Sequence, residues 1–322
     1  MRRMCCVILF GMVGPTWACS GNDRPGDPPE LPKEPPTDVS MVATGQFDSP
    51  MDAVASPDGS MFYFTAHRTG SESSESAAVF SVPAVGGSET IVFHGTPLED
   101  PGGLLMSCDG SFLIVADLSY RGGDTNLELE SPNSPLYRLD LESKRLSRLD
   151  ASGVGEAAGV AMGPDCETLF VTGYDVDGNA ALFRLPLAGG VAEVVKAGSP
   201  LRSPSGVYVD ADQVAWVMDQ LPEEPLGGAL WAITPDGTTT SVVDQLELSE
   251  PAGVSLTAGG GTAVIPTLSE DGRGQLLTVD IASGTTTIVE SEMVEPAGLR
   301  TAREAGVFAI ADSNSDAIYR AQ

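Results

Sequence analysis

Acidic residues recur at one position of a short repeated phrase. EPAGV at 250–254 and EPAGL at 295–299 are near copies of each other. Related copies begin earlier in the chain, at Pro50, Pro101, Ala157 and Pro204. The residue that precedes the proline, or the alanine that replaces it, is acidic in four copies, namely Asp100, Glu156, Glu250 and Glu295. Because Ca²⁺ takes six to eight oxygen ligands in loose geometry, this spacing is compatible with a Ca²⁺ site formed by these carboxylates.

Two alternatives to a metal site stay open for these acids. The chain is acidic throughout, with 45 Asp and Glu against 17 Lys and Arg and a net charge of −28. Acidic side chains in loops also accept hydrogen bonds from backbone N–H groups. The same charge argues against nucleic-acid binding, because neutralising phosphates requires Lys and Arg.

A second polar position follows the most β-prone segment of each repeat. It holds His67, Asp117, Asp175, Asp219, Asp271 and Asp312. We expect Asp117, Asp219 and Asp312 to bind a ligand, and His67 is the candidate general base. The chain has two His, which argues against a His-rich zinc site. It contains no G-x-S-x-G, Walker-type or H-E-x-x-H motif.

The interval between copies of the phrase predicts the fold. Successive copies lie 45 to 56 residues apart, which is typical of propeller blades and too long for the shorter helical repeats. Each repeat contains short apolar runs separated by Gly- and Asp-rich turns, as in SPDGS at 56–60, and these are hairpin signals. We therefore predict an all-β, six-bladed β-propeller of four-stranded antiparallel blades over residues 39–322.

The end of the chain predicts how the ring closes. The sixth repeat stops at Gln322 after its third strand, and residues 39–47 precede the first repeat without another role. We expect this N-terminal segment to supply the missing strand of the last blade, which would leave no broken junction in the ring. In such a ring, both acidic positions lie on one face around the central channel.

Several repeats resemble known propeller families. ADSNSDAIYRA at 311–321 resembles an NHL repeat, whereas ASPDGSMFYFTA at 55–66 and VFSVPAVGG at 79–87 look like TolB-like repeats. The broader group includes gluconolactonase-like lactonases, amidating lyases and non-catalytic binding proteins. The E-G-P-x-W and P-N-G motifs of the lactonases are missing here, so the resemblance implies the fold and not the lactonase metal site.

The N-terminus predicts export and lipid anchoring. Arg2 and Arg3 precede the short apolar run at 4–13, and Cys19 follows a small residue as in a bacterial lipobox. We predict a signal peptide at 1–18, a lipidated Cys19 with a Pro-rich tether at 19–38, and a place in the bacterial envelope, with the outer membrane favoured. Ordinary cleavage after Ala18 is the alternative.

Two cysteines remain in the body of the protein. Cys108 and Cys166 fall in the first hairpin turns of neighbouring repeats. An even number of cysteines in an oxidising compartment suggests a disulfide between them, provided that their Cα atoms lie within about 7 Å.

The sequence favours a non-catalytic function. We expect a monomeric binding or interaction module whose acidic channel face takes a protein, a small molecule or a cation, with a membrane contact through the lipid anchor only. The alternative is a metal-dependent, lactonase-like hydrolase or lyase with a divergent site. A third interpretation is a scaffold that makes envelope contacts alone.

Overall fold

The chain folds into a ring of six small antiparallel sheets, seen in a computed structural model. The structure describes residues 34–71, 73–118, 136–221, 227–249, 252–257, 260–303 and 305–322. Helix is confined, in these ranges, to the four residues of α1 (Ser73–Ser76). No helix within them is long and apolar enough to cross a membrane. The prediction of an all-β, six-bladed propeller is confirmed.

The strands are numbered in chain order and grouped by blade. The first strand of the described residues is β1 (Val39–Thr44), an outer strand. Blade 1 contains β2 (Phe47–Asp48), β3 (Ala53–Ala55), β4 (Met61–Arg68), β5 (Ala77–Pro83) and β6 (Thr90–His94). Blade 2 contains β7 (Pro101–Met106), β8 (Phe112–Asp117), β9 (Leu136–Asp140) and β10 (Leu146–Arg148). Blade 3 contains β12 (Val154–Met162), β13 (Thr168–Asp175), β14 (Ala180–Pro186) and β16 (Glu193–Ala197), beside the short parallel pair β11 (Ala151–Ser152) and β15 (Gly190–Val191).

The second half of the ring repeats this pattern. Blade 4 contains β17 (Ser203–Val209), β18 (Ala215–Leu221), β19 (Gly227–Ile233) and β20 (Thr239–Val243). Blade 5 contains β21 (Ser255–Leu256), β22 (Thr262–Leu268), β23 (Gly274–Asp280) and β24 (Thr286–Glu290). Blade 6 contains β25 (Pro296–Thr301), β26 (Phe308–Asp312) and β27 (Ala317–Ala321).

The ring closes as the sequence predicts. β1 pairs antiparallel with β27 of blade 6, with Val39 opposite Ala321 and Thr44 opposite Ala317. The sheet order of blade 6 is therefore β1-β27-β26-β25. Because β1 leads directly into blade 1 and pairs with β27 of blade 6, backbone hydrogen bonds connect the start of the ring to its last blade.

Asp-containing turns close many of the hairpins. Asp58 accepts hydrogen bonds from the backbone N–H of Ser60 and the hydroxyl of Ser56, at 3.0 and 2.6 Å. Asp109 makes the same pair of bonds in the next blade, with Ser111 and Ser107. These bonds favour the charged carboxylates, and they lower the pKa of Asp58 and of Asp109. Part of the acidity of the chain is therefore turn chemistry.

The apolar core lies between neighbouring blades. Phe62 and Phe64 of blade 1 share one buried cluster with Ala309 and Ala311 of blade 6. The rings of Phe64 and Phe80 stack with their centroids 5.2 Å apart. The central strands are buried on both faces, which is why they consist of continuous apolar runs such as FLIVAD in β8.

The repeated Pro-x-Gly phrase forms a bulge in the innermost strand of a blade. The strand register shifts between Pro101 and Gly103 in blade 2, and between Ala157 and Gly159 in blade 3. A bulge turns backbone groups out of their own sheet and makes them available to a neighbour.

Glycine N–H groups of the same repeated phrase connect successive blades in the second half of the ring. Gly206 N donates to Ala252 O at 2.9 Å, Gly253 N to Ala297 O at 3.0 Å, and Gly298 N to Met51 O at 2.9 Å. These three hydrogen bonds, here called the inner belt, link blades 4, 5, 6 and 1 in series around the channel.

The inner belt requires positions without a side chain. A Cβ placed on Gly206 would collide with the carbonyl oxygen of Ala252, and one on Gly253 would collide with the backbone N of Leu299. The innermost strands can approach each other this closely only because glycine occupies these positions.

The substitution Gly253→Ala tests the inner belt. We expect it to lower the free energy of unfolding by about 3 kcal/mol, because backbone of the next blade leaves no space for the methyl group. The matched control is Gly261→Ala, where an added Cβ meets nothing within 4 Å. Urea denaturation measures both variants, and equal stability of the two would show that the close approach at Gly253 contributes nothing.

Candidate functional site

The two faces of the ring carry different loops. The upper face is defined here by the loops that lead into the innermost strands and the loops that follow the second strand of each blade. The lower face is defined by the turns between the first and second strands, such as 107–111 and 163–167, and by those between the third and fourth strands. The predicted site residues Asp100 and Glu295 directly precede innermost strands, and Glu156 is the third residue of one, so the three belong to the upper face.

The three aspartates predicted to bind a ligand are buried at the upper face. Asp117 and Asp312 end the second strands of blades 2 and 6, and Asp219 lies two residues before the end of the second strand of blade 4. Their exposed fractions are 3% for Asp117 and 0% for both Asp219 and Asp312. Each carboxylate accepts backbone hydrogen bonds from the loop that leads into its own blade. Asp117, for example, accepts from the N–H groups of Glu99 and Asp100 at 2.9 and 3.0 Å.

The other two carboxylates bind their loops in the same way. Asp219 accepts from Arg202 N and Ser203 N at 3.0 and 2.8 Å, and also from the indole N–H of Trp231 at 3.1 Å. Asp312 accepts from Val294 N and Glu295 N at 2.6 and 3.0 Å. Burial raises the pKa of Asp219, and the N–H donors act in the opposite direction. The structure shows all three in a structural role, and ligand binding by them stays a prediction.

Three of the four predicted metal ligands, Asp100, Glu156 and Glu295, lie where the chain enters innermost strands on the upper face, and this position is here called the rim. The side chain of Asp100 is 47% exposed, and Glu156 and Glu295 are half-buried. Glu250 lies outside the described residues. Within the part of the chain that the structure describes, no group of three or more His, Cys, Asp or Glu side chains lies close enough to hold a metal ion. The Ca²⁺ site therefore stays a prediction.

His67 lies at the junction of blades 1 and 2. Its Nε2 is 3.9 Å from Asp100 Oδ1, and its Nδ1 is 3.1 Å from Ser76 Oγ. With its side chain 32% exposed, the imidazole could exchange a proton with a bound molecule. The distance to Asp100 is too long for a hydrogen bond, so Asp100 is a neighbouring charge, and the contact with Ser76 is the one that orients the ring.

Two further acids of the second polar position stabilise their own turns. Asp175 accepts from the N–H groups of Asp177 and Asn179 at 2.9 and 2.8 Å. Asp271 accepts from the Ser269 hydroxyl and forms an ion pair with Arg273 at 2.8 Å. The two side chains stabilise local turns. Their position in the sequence alone does not distinguish this role from ligand binding.

A buried ion pair occupies the central channel, and the sequence alone does not predict it. Asp52 stands in blade 1 where the other blades have the glycine of the phrase, and its exposed fraction is 2%. Arg300 of β25 donates through Nη2 to Asp52 Oδ2 at 3.2 Å and through Nη1 to the carbonyl oxygen of Val207 in blade 4 at 2.5 Å. One guanidinium thus connects blades 6, 1 and 4 across the channel.

Asp52 also continues the contacts between innermost strands. Its Oδ2 accepts a hydrogen bond from Leu104 N of blade 2 at 2.9 Å. A side chain therefore connects blades 1 and 2, whereas a glycine N–H makes the connection in the inner belt. Burial is the largest influence on this carboxyl and raises its pKa, although the charge of Arg300 and the backbone N–H groups lower it. The carboxylate in the channel is therefore already committed to Arg300 and Leu104.

The predicted cysteine pair is bonded on the lower face. Cys108 and Cys166 form a disulfide between the first turns of blades 2 and 3, with their Cα atoms 6.0 Å apart. The separation satisfies the distance condition that the sequence sets for such a bond. Cys19 and the whole segment 1–33 lie outside the described residues, so lipidation stays a prediction.

Comparison with known proteins places the fold but not the function. No family model and no curated protein matches the chain. One similar solved structure is a nidogen/laminin complex, with a TM-score of 0.60, 14% identity, and coverage of 81% of this chain and 88% of that chain. A structural genomics protein of unknown function from Bacteroides thetaiotaomicron has a TM-score of 0.61 at 15% identity, over 90% of this chain and 72% of that one.

TolB from Acinetobacter baumannii is a third similar structure. It has a TM-score of 0.53 at 13% identity, over 86% of this chain and 64% of that one. Likenesses at such low identity show the fold alone. The predicted resemblance to TolB-like propellers is confirmed at that level.

The channel ion pair can be tested by a double-mutant cycle with Asp52→Asn and Arg300→Met. We expect each single change to cost about 3–5 kcal/mol of stability, because each leaves the other group buried without its partner. The double variant should lose much less than the two single losses together, as measured by urea denaturation.

The pH dependence of the Arg300→Met variant gives an independent check. The pKa of Asp52 is raised in the folded protein, so the protonated carboxyl favours the folded state at low pH, and this stability is lost as pH rises through the folded pKa. Without Arg300, we expect a larger stability loss at pH 8 than at pH 5. Additive single losses that do not depend on pH would contradict the pairing.

Proposed function

We propose that this protein is a non-catalytic binding module of the bacterial envelope, anchored through a lipidated Cys19. Its upper face binds a cationic partner, specifically a protein segment rich in Lys and Arg. The observation that carries the proposal is the set of half-buried and exposed carboxylates at the channel rim, Asp100, Glu156 and Glu295. The more deeply buried acids of this fold already bind groups within the protein.

The channel ion pair limits where a ligand can bind. Asp52 and Arg300 connect opposite sides of the ring, and Asp117, Asp219 and Asp312 face their own loops. A positively charged ligand therefore meets accessible negative charge at the rim and on the outer loops, not deep in the channel. A broad, shallow acidic surface suits a basic protein segment, because several Lys or Arg side chains can reach it at once.

The charge of the whole molecule supports the same class of partner. A net charge of −28 attracts cations at long range and raises the rate at which a basic partner arrives. It repels nucleic acids and anionic lipid surfaces. One of the similar structures is a complex of nidogen with laminin, and protein binding is consistent with that use of the fold.

The proposal is tested by neutralising the rim. We expect the triple variant Asp100→Asn, Glu156→Gln, Glu295→Gln to bind a deca-lysine peptide at least about tenfold more weakly than the unaltered protein, by calorimetry at 0.1 M salt, because three attractive charges are removed near the peptide. Ca²⁺ titrated in place of the peptide measures the cation alternative.

A matched triple variant on the lower face controls for net charge. Glu142→Gln, Glu167→Gln, Asp212→Asn removes the same charge from exposed residues in lower-face turns. It should retain most of the affinity for the peptide. Equal weakening by both triples would show non-specific charge attraction and would refute a binding site at the rim. Binding of Ca²⁺ without binding of the peptide would replace the proposed partner by a cation.

The envelope location has its own test. In a bacterial host fed labelled palmitate, the full chain should incorporate label and sediment with membranes, whereas Cys19→Ser should do neither, because the acyl chains attach to that sulfur. A Cys19→Ser chain that still sediments with membranes and carries label would contradict the anchor.

A further inference from the structure

An arginine contacts the disulfide at the lower mouth of the channel. Arg303 follows β25 of blade 6, and its Nη1 lies 2.9 Å from Cys166 Sγ in the first turn of blade 3. These two blades are opposite each other in a ring of six, so the side chain reaches across the mouth. Both cysteines are partly exposed, which leaves the bond accessible to a reagent in solution.

The backbone at Cys166 is unusual for a residue with a side chain. The corresponding turn position is Gly59 in blade 1 and Gly110 in blade 2, with φ of 70° and 72°. Cys166 adopts the same left-handed conformation, with φ of 58°. Such a conformation costs a non-glycine residue about 1–2 kcal/mol, and here it positions the sulfur between Cys108 and Arg303.

The electrostatic surroundings make the arginine significant. Asp109 and Asp165 are next to the two cysteines in sequence, but their carboxylates accept hydrogen bonds from their own turns, for example from Ser111 N and Thr168 N. On a protein of net charge −28, a new thiolate would otherwise meet mainly negative potential. Arg303 supplies positive charge in direct contact with the sulfur of Cys166.

We propose that the Cys108–Cys166 disulfide is a reducible redox site, at which Arg303 stabilises Cys166 as the leaving thiolate. A thiolate of an external dithiol attacks Cys108 Sγ, the bond between the two cysteines breaks, and its electron pair leaves with Cys166 Sγ. The mixed disulfide joins the first sulfur of the dithiol to Cys108. The second thiol of the dithiol then attacks that first sulfur and releases Cys108. The dithiol is oxidised to a disulfide, and the protein gains two electrons and, after protonation, two thiols.

The expected partner follows from this chemistry. The reductant must be a dithiol that can reach the lower mouth, such as a small-molecule dithiol or a protein with a Cys-x-x-Cys pair. The site is separate from the rim of the upper face, so it neither requires the proposed binding function nor depends on it.

The test compares reduction rates of the purified, oxidised protein in dithiothreitol at pH 7, with free thiols trapped by a maleimide and counted by mass spectrometry. Arg303→Met should slow reduction about three- to tenfold, because a leaving thiol of higher pKa departs more slowly. Arg303→Lys should restore most of the rate, since it keeps the charge. Arg145→Met, which removes an exposed arginine from a lower-face turn, should react at the unaltered rate.

A second measurement applies even if Arg303→Met folds poorly. In the Cys108→Ala variant, the remaining Cys166 should titrate clearly below the ordinary thiol pKa of about 8.5 when followed by thiolate absorbance. Reduction of Arg303→Met at the unaltered rate or faster, equal slowing in Arg145→Met, or titration of Cys166 at or above the ordinary value would each overturn the proposal.

Discussion

The close approach of the innermost strands is the constraint on which the rest of the molecule depends. A ring of twisted sheets leaves no single centre for a core, so each blade must be stabilised by its two neighbours. The glycine of the repeated phrase allows this, because its N–H reaches the carbonyl oxygen of the next blade, as from Gly253 to Ala297 at 3.0 Å. Neighbouring blades also share apolar clusters, such as the Phe-rich one between blades 1 and 6, and β1 pairs with β27 where the ring closes.

The acidic residues divide according to this constraint. Asp117, Asp219 and Asp312 accept hydrogen bonds from the loops that lead into the innermost strands of alternate blades. Asp52 connects two blades through its own carboxylate, where other blades use a glycine N–H. Asp58 and Asp109 belong to hairpin turns. The proposed recognition of a basic partner uses the remaining acids at the rim, notably Asp100, Glu156 and Glu295. The net charge of the chain alone therefore indicates function poorly, because many of the acidic residues stabilise loops and turns.

The features that recur along the sequence are the ones it predicts well. A period of 45 to 56 residues determines six four-stranded units, and the unit left one strand short requires the segment at 39–47. The disulfide is predictable for the same reason, because Cys108 and Cys166 occupy matching turns of adjacent repeats. Such inferences succeed because the position of a residue within a repeat determines its position in the ring.

Contacts that break the repeat are not visible in the sequence. Arg300 and Asp52 lie 248 residues apart, and Arg303 and Cys166 lie 137 apart. No local signal pairs such residues, although Asp52 in a glycine position is a visible departure from the pattern. The sequence also cannot tell what an aspartate at this position contacts. Asp219 and Asp271 hold the same place in their repeats, but Asp219 binds the loop that leads into its blade and Asp271 binds Arg273 of its own turn.

Hydrogen exchange tests the central claim most directly, because the inner belt should open only when the whole ring unfolds. Mass spectrometry of peptides that contain Gly206, Gly253 and Gly298 would report the exchange of their N–H groups under native conditions. We predict that these amides are among the slowest in the protein and that their exchange follows the free energy of global unfolding as urea is added. Exchange within seconds, at rates that do not depend on urea, would contradict the account.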